Sequence, residues 1–95
     1  MLNSKQRAKL RSIASHEDTI FQIGKGGVTD EAAVQIENAL RARELVKIKV
    51  LENAPVFAKE AAAEIAEKTG SQVVTVIGTK VVLYKKNDKD PKIEL

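Results

Sequence analysis

Apolar residues recur at the period of an α-helix, about 3.6 residues, in three parts of the chain. The first helix is predicted over residues 4–15 with Ser4 as N-cap, and the second from residue 29 or 30 to about residue 42. The third has Pro55 in its first turn and ends at Gly70. The apolar stripes are Leu2, Leu10, Ile13 and Ala14 in the first helix, Ala33, Ile36, Ala39 and Leu40 in the second, and Phe57, Ala61 and Ile65 in the third.

Short apolar or alternating runs predict four strands. They cover residues 19–23, 45–51, 71–77 and 80–86. The last two are separated only by Gly78-Thr79, and glycine at the first central position is typical of a type II′ hairpin turn. These two strands should therefore be antiparallel.

The order of these elements predicts an α/β fold. Right-handed crossovers through the second and third helices make the first three strands parallel, and the hairpin adds an antiparallel fourth. We expect a compact two-layer α-β-α-β-α-β-β domain with a four-stranded mixed sheet and with helices largely on one face. Residues 1–86 form this single domain, and residues 87–95, with Pro91 and mixed charges, are predicted to be a loose tail.

The loop between the first strand and the second helix holds three glycines in four residues, Gly24, Lys25, Gly26 and Gly27. Glycine permits left-handed backbone angles and close approach of a ligand, while free N–H groups at a helix N-terminus attract anions. Such a loop is also compatible with a simple tight connection. It matches neither the phosphate-binding loop of nucleoside triphosphatases nor the dinucleotide fingerprint, so a polymer phosphate is favoured over a nucleotide cofactor.

Composition narrows the possible chemistry. The 95 residues include 16 Lys and Arg against 13 Asp and Glu, which gives a net charge of +3 and a pI near 9.3. Without cysteine and with a single histidine, His16, we expect no disulfide, no metal site and no cofactor. No apolar run approaches the roughly 20 residues of a membrane span. We therefore expect a monomeric protein of the cytoplasm with no membrane or small-molecule partner.

Basic residues outside the loop are candidate contacts to a polyanion. Residues 1–15 contain no acidic residue, and their cations are Lys5, Arg7, Lys9 and Arg11. Lys47 alternates with apolar residues on the second strand. A solvated helix face, and lysines that discourage strand aggregation, are equally reasonable explanations of these charges. Lys5 lies in a first turn, where a cation opposes the helix dipole, so helix stability does not explain it.

Several separated motifs resemble the CRM domain, the chloroplast RNA splicing and ribosome maturation module, and especially its free-standing bacterial YhbY-type members. The matching residues are Ile23 to Gly27, Ala39 and Leu40, Glu44 to Lys47, Ile77 and Gly78, and Val82 to Lys85. The resemblance runs from about Leu2 to Lys86. It implies a fold similar to the C-terminal domain of translation initiation factor three, and a GxxG loop, Gly24 to Gly27, that clamps a nucleic-acid backbone.

The resemblance implies a non-enzymatic RNA-binding protein that associates with ribosomal RNA in precursors of the large ribosomal subunit. A protein-interaction module that joins the ribosome through a ribosomal protein is the alternative. An RNA-cleaving or phosphoryl-transferring enzyme is disfavoured, because Asp30 and Glu31 are the only acids beside the loop. Acids at a helix N-terminus are common for dipole reasons alone.

Overall fold

The computed structural model describes residues 2–95 of the chain. Within that range the elements follow the predicted order: α1 Ser4–Ala14, β1 Phe21–Ile23, α2 Asp30–Arg43, β2 Leu45–Val50, α3 Ala58–Thr69, β3 Gln72–Ile77 and β4 Lys80–Tyr84. None of the helices in these residues is long and apolar enough to cross a membrane.

The four strands form one mixed sheet in the order β1-β2-β4-β3. β1 and β2 are parallel, whereas β4 is antiparallel to both of its neighbours, so β1, β2 and β3 all run in one direction. Gly78 has a φ of 60° and Thr79 has no positive φ, as a type II′ turn requires. The predicted mixed sheet is confirmed, and the insertion of β4 between β2 and β3 completes its topology.

Each face of the sheet carries its own apolar cluster. α2 and α3 pack on one face against Val46, Ile48, Val50, Val81 and Leu83. On the other face α1 packs against Leu45, Val74, Val82 and Tyr84. The sequence pattern left the face of α1 open, and this helix adds a partial layer opposite α2 and α3.

Two helix starts differ from the prediction. Asn3, not Ser4, is the N-cap of α1, because its side chain accepts from Gln6 N–H at 2.8 Å while the Gln6 side chain accepts from Asn3 N–H at 3.0 Å.

α3 begins at Ala58, after Pro55, and Phe57 precedes it in extended conformation. Phe57 is 81% exposed and therefore does not belong to the buried stripe of α3. Of the two candidate caps of α2, Thr29 and Asp30, it is Thr29 that caps the helix, and its side chain accepts from Ala32 N–H at 3.0 Å.

Residues 87–95 contain no helix or strand, but they are not the loose tail that their composition suggested. The buried carboxylate of Glu44 accepts backbone N–H bonds from Asn87, Lys92 and Ile93 at 2.5–2.6 Å. Ile93 also packs against the α1 cluster. One acidic residue at the end of α2 thus anchors the segment to the body of the domain.

Candidate nucleic-acid interface

The glycine loop is a tight turn at the carboxyl end of β1. Gly27 N–H donates to Gly24 O at 2.9 Å, which closes the turn. The base of the loop is fixed because Leu51 N–H donates to Ile23 O at 2.8 Å. The loop therefore lies where β1 and β2 end and α2 begins, the edge at which open α/β sheets commonly bind ligands.

Only one of the three glycines is required by the fold. Gly27 has a φ of 69°, and a Cβ there would lie 3.0 Å from Pro55 Cγ. A Cβ at Gly24 would approach Leu51 Cδ1 to 3.6 Å, and one at Gly26 would approach Thr29 Cγ2 to 3.8 Å, both ordinary contacts. Neither residue has a left-handed φ. Gly24 and Gly26 therefore leave the main chain bare where local structure would tolerate a side chain.

The exposed tip of the loop presents unpaired positive groups. In residues 2–95, the N–H groups of Lys25 and Gly26 have no protein acceptor, and Lys25 forms no ion pair. The first turn of α2 follows directly, so the positive end of the helix dipole is added. These groups together can hold an anion such as a phosphate.

Two carboxylates lie beside this tip, in the first turn of α2, and one of them is neutralised from the neighbouring helix. Lys68 Nζ of α3 lies 2.9 Å from Asp30 Oδ1. The hydrogen bond and charge of Lys68 lower the pKa of Asp30, which is therefore a carboxylate at neutral pH. Glu31 is exposed. Residues 2–95 bring together no three potential metal ligands of the His, Cys, Asp or Glu type.

The predicted basic residues of α1 have different roles. Arg7 Nη1 donates to Val73 O at 2.6 Å and to Val74 O at 3.1 Å, at the irregularity where the β3–β4 register shifts. Arg7 thus donates to two carbonyl groups at the point where the strand pairing is irregular. Lys9 Nζ donates to Glu94 O of the C-terminal segment. Lys5 is exposed on the first turn.

Arg11 and Lys47 lie beside a third cation, Lys80, which the sequence analysis did not select as a candidate. Together they line an open cleft of about 310 Å³ between α1 and the sheet, hereafter the basic cleft. Ser15, Thr75 and Ile77 also border it, and its lining contains no acidic residue. The hairpin register could have indicated Lys80, because β4 pairs it with Lys49, two residues from Lys47 on the same strand face.

Comparison with known proteins shows which family this chain belongs to. Residues 2–85 match the family model described as the CRS1 / YhbY (CRM) domain. The chain belongs to the CRM family. The match spans the glycine loop, all four strands and the basic cleft, and ends just before the segment that Glu44 anchors.

Relatives of this CRM domain match it along nearly its whole length. The Bacillus subtilis "Probable RNA-binding protein YqeI" is 45% identical over 95 residues, which cover 100% of this chain and 99% of the relative. A Haemophilus influenzae protein named "RNA-binding protein" is 32% identical over 94 residues, 99% of this chain and 94% of the relative. The solution structure of SAV1595 from Staphylococcus aureus, proposed to bind RNA, has a TM-score of 0.83 at 44% identity and covers 100% and 99% of the two chains.

Proposed function

We propose that this CRM domain is a non-enzymatic RNA-binding protein that grips the RNA backbone with the loop Gly24 to Gly27. The observation that carries the proposal is the bare main chain at Gly24 and Gly26, which the fold itself does not require. The unpaired N–H groups of Lys25 and Gly26 would donate to one phosphate, and Lys25 Nζ would add a charge. The names of the relatives, which refer to RNA binding, support this proposal.

The RNA proposed as partner is ribosomal RNA in precursors of the large ribosomal subunit, bound in the cytoplasm by the monomer. This part rests on the CRM family resemblance. The aromatic residues favour recognition of RNA shape over stacking of successive bases, because Tyr84 is buried, Phe21 is half-buried and only Phe57 is largely exposed. Phosphate contacts position a protein on RNA without reading its sequence.

The test is charge reversal at the loop tip. Lys25→Asp and Gly26→Asp place a carboxylate where phosphate is proposed to bind, and both positions are exposed, so the fold should persist. We expect at least about a tenfold loss of affinity for a structured ribosomal RNA fragment, since a favourable charged contact is replaced by a repulsive one. Affinity is measured by fluorescence anisotropy and folding by circular dichroism.

Lys89→Asp is the matched control, because Lys89 is also exposed but lies beside the C-terminal end of α2. It should weaken binding far less than the loop variants. Folded loop variants that bind RNA and associate with ribosomal particles as the parent does would refute the proposal. That result would instead favour a domain that joins the ribosome through a protein.

A further inference from the structure

The basic cleft holds three cations from three different elements, Arg11 of α1, Lys47 of β2 and Lys80 of β4. None of them forms an ion pair within the part of the chain that the structure describes. Lys47 Nζ has only a long contact, 3.4 Å, to Ala14 O at the end of α1. Like charges that converge without a carboxylate repel one another, so the cleft is electrostatically suited to an anion.

Protection of a sheet edge does not explain these lysines. Lysine on an edge strand discourages pairing with another chain, but β2 and β4 are the two inner strands of the order β1-β2-β4-β3. Lys47 and Lys80 are therefore on strands that already have partners on both sides. Lys47 is also half-buried beside α1, where a lysine must be partly desolvated.

A row of side chains extends from the basic cleft across the sheet to β1, the strand that precedes the glycine loop. In the sheet register Gln22 of β1 is opposite Lys49 of β2, and Lys49 is opposite Lys80 of β4. Neighbouring strands are about 4.8 Å apart, so the row spans about 10 Å. Because Lys47 and Lys49 are two residues apart, the row lies on the same sheet face as the basic cleft. The row ends on β1 at Gln22, two residues before Gly24.

We propose that the basic cleft binds a second phosphate group of the RNA strand that the glycine loop grips. This inference rests on the proposed function and extends it by giving the strand a path, from the loop along Lys49 and Lys80 to the cleft. The hydroxyl of Thr75 borders the cleft and can donate to a phosphate oxygen, whereas Ser15 Oγ already donates to Ser12 O at 2.6 Å. Ile77, 67% exposed at the rim, offers an apolar surface to a ribose or a base.

The path separates the basic residues of α1 into two groups. Arg11 faces the cleft, whereas Arg7 is engaged with the carbonyls of Val73 and Val74, and Lys9 with Glu94 of the C-terminal segment. RNA contact is thus assigned to the C-terminal end of α1 and the neighbouring sheet face. The outer surface of α1 is not part of the path.

The test compares Arg11→Gln, Lys47→Gln and Lys80→Gln with the control Lys89→Gln on a structured ribosomal RNA fragment. Each cleft variant should lose affinity about two- to fivefold, the range of a solvent-exposed ion pair. Each should also make the log–log dependence of affinity on salt shallower by about one, because one phosphate contact is lost. Lys89→Gln should change neither quantity appreciably.

Cleft variants that match Lys89→Gln, while Lys25→Asp weakens binding by about tenfold or more, would overturn the cleft proposal and leave the proposed function standing. Absence of RNA binding by the parent protein would overturn both. Acetylation of Lys80 by an amine-reactive reagent gives an independent measurement. RNA should protect Lys80 from acetylation, whereas inorganic phosphate or an acidic peptide, each added without RNA, should not. The inorganic phosphate is added at the phosphate concentration of the RNA. Equal protection of Lys80 by inorganic phosphate, or protection by the acidic peptide, would contradict an RNA site.

Discussion

Glycine serves two different purposes in the loop before α2. At Gly27 glycine is required by the backbone conformation, because φ is 69° and Pro55 Cγ would lie 3.0 Å from an added Cβ. At Gly24 and Gly26 no such demand exists, and the missing side chains expose the main chain. The sequence alone presents three equivalent glycines, and only the loop geometry distinguishes the structural one from the two that are free for a ligand.

This difference predicts that alanine destabilises the domain at Gly27 and has little effect on its stability at Gly26. Gly27→Ala should lower the free energy of unfolding by about 1–3 kcal/mol, because alanine is strained at a left-handed φ and contacts Pro55. Gly26→Ala should change it by less than about 1 kcal/mol, since a compatible backbone also restricts the unfolded chain. Urea denaturation of both variants measures the difference. Equal losses of stability would show that Gly26 is also a structural glycine.

At the scale of single residues, the sequence indicated the glycine loop, limited the cap of α2 to Thr29 or Asp30, and selected two of the three cations of the basic cleft. It could not identify the role of Arg7, because that role depends on a shift of strand register near Val73. The spacing of Phe57 fits a helix and predicts that it belongs to the apolar stripe of α3, which is wrong. The helix begins one residue later, and the ring is exposed.

At the scale of elements, the end of α2 connects distant parts of the chain. Glu44 is the C-cap of this helix with a φ of 63°, the only positive φ of a non-glycine residue among residues 2–95. Such a backbone costs of the order of 1–3 kcal/mol and persists where surrounding contacts hold it. The three N–H bonds from the segment after β4 to the Glu44 carboxylate are contacts of this kind.

The same carboxylate predicts a pH-dependent stability. Burial alone would raise the pKa of Glu44, but the N–H bonds of Asn87, Ile93 and Lys92 and the nearby charge of Lys86 lower the pKa below its ordinary value. A lowered folded-state pKa gives stability that is present above the unfolded-state value and is lost as pH falls through the folded-state value. Glu44→Gln should therefore cost about 1.5–3 kcal/mol at neutral pH and less in acid.

Urea denaturation of Glu44→Gln at neutral and acidic pH checks this prediction. Glu31→Gln is the control, because Glu31 is in α2 but is exposed, and its carboxylate forms no ion pair with residues 2–95. The control should lose no more than about 1 kcal/mol at neutral pH, the contribution of an acid in the first turn of a helix. If both variants unfold at the same urea concentration across the pH range, the anchoring role of Glu44 is wrong.

The order and type of all elements followed from the sequence, because apolar periodicity and turn residues are local signals. The position of β4 between β2 and β3 and the face of α1 did not, since both depend on packing between distant segments. The anchoring of residues 87–95 could not be predicted either, because it also depends on contacts between distant segments. Its Pro91 and mixed charges resemble those of a free end, and Glu44 lies over forty residues earlier in the chain.

At the scale of the whole molecule, charge is distributed unequally over the two faces of the sheet. On the face opposite the basic cleft, α3 carries three glutamates, Glu60, Glu64 and Glu67, against two lysines, Lys59 and Lys68. On the α1 side, Lys47, Lys49 and Lys80 lie on the sheet itself. RNA should therefore approach the loop and the α1 side of the sheet and avoid the exposed surface of α3. The modest net charge of +3 underestimates the attraction of this side.

The central claim is that the backbone N–H groups at the loop tip bind RNA phosphate. Titration of the isotope-labelled protein with a ribosomal RNA fragment, followed by amide NMR, tests it most directly. The account predicts that the amide signals of Lys25 and Gly26 shift most at low RNA concentration, while those of α3 between Glu60 and Glu67 stay in place. RNA binding that leaves the Lys25 and Gly26 amides unshifted and perturbs α3 would contradict the account.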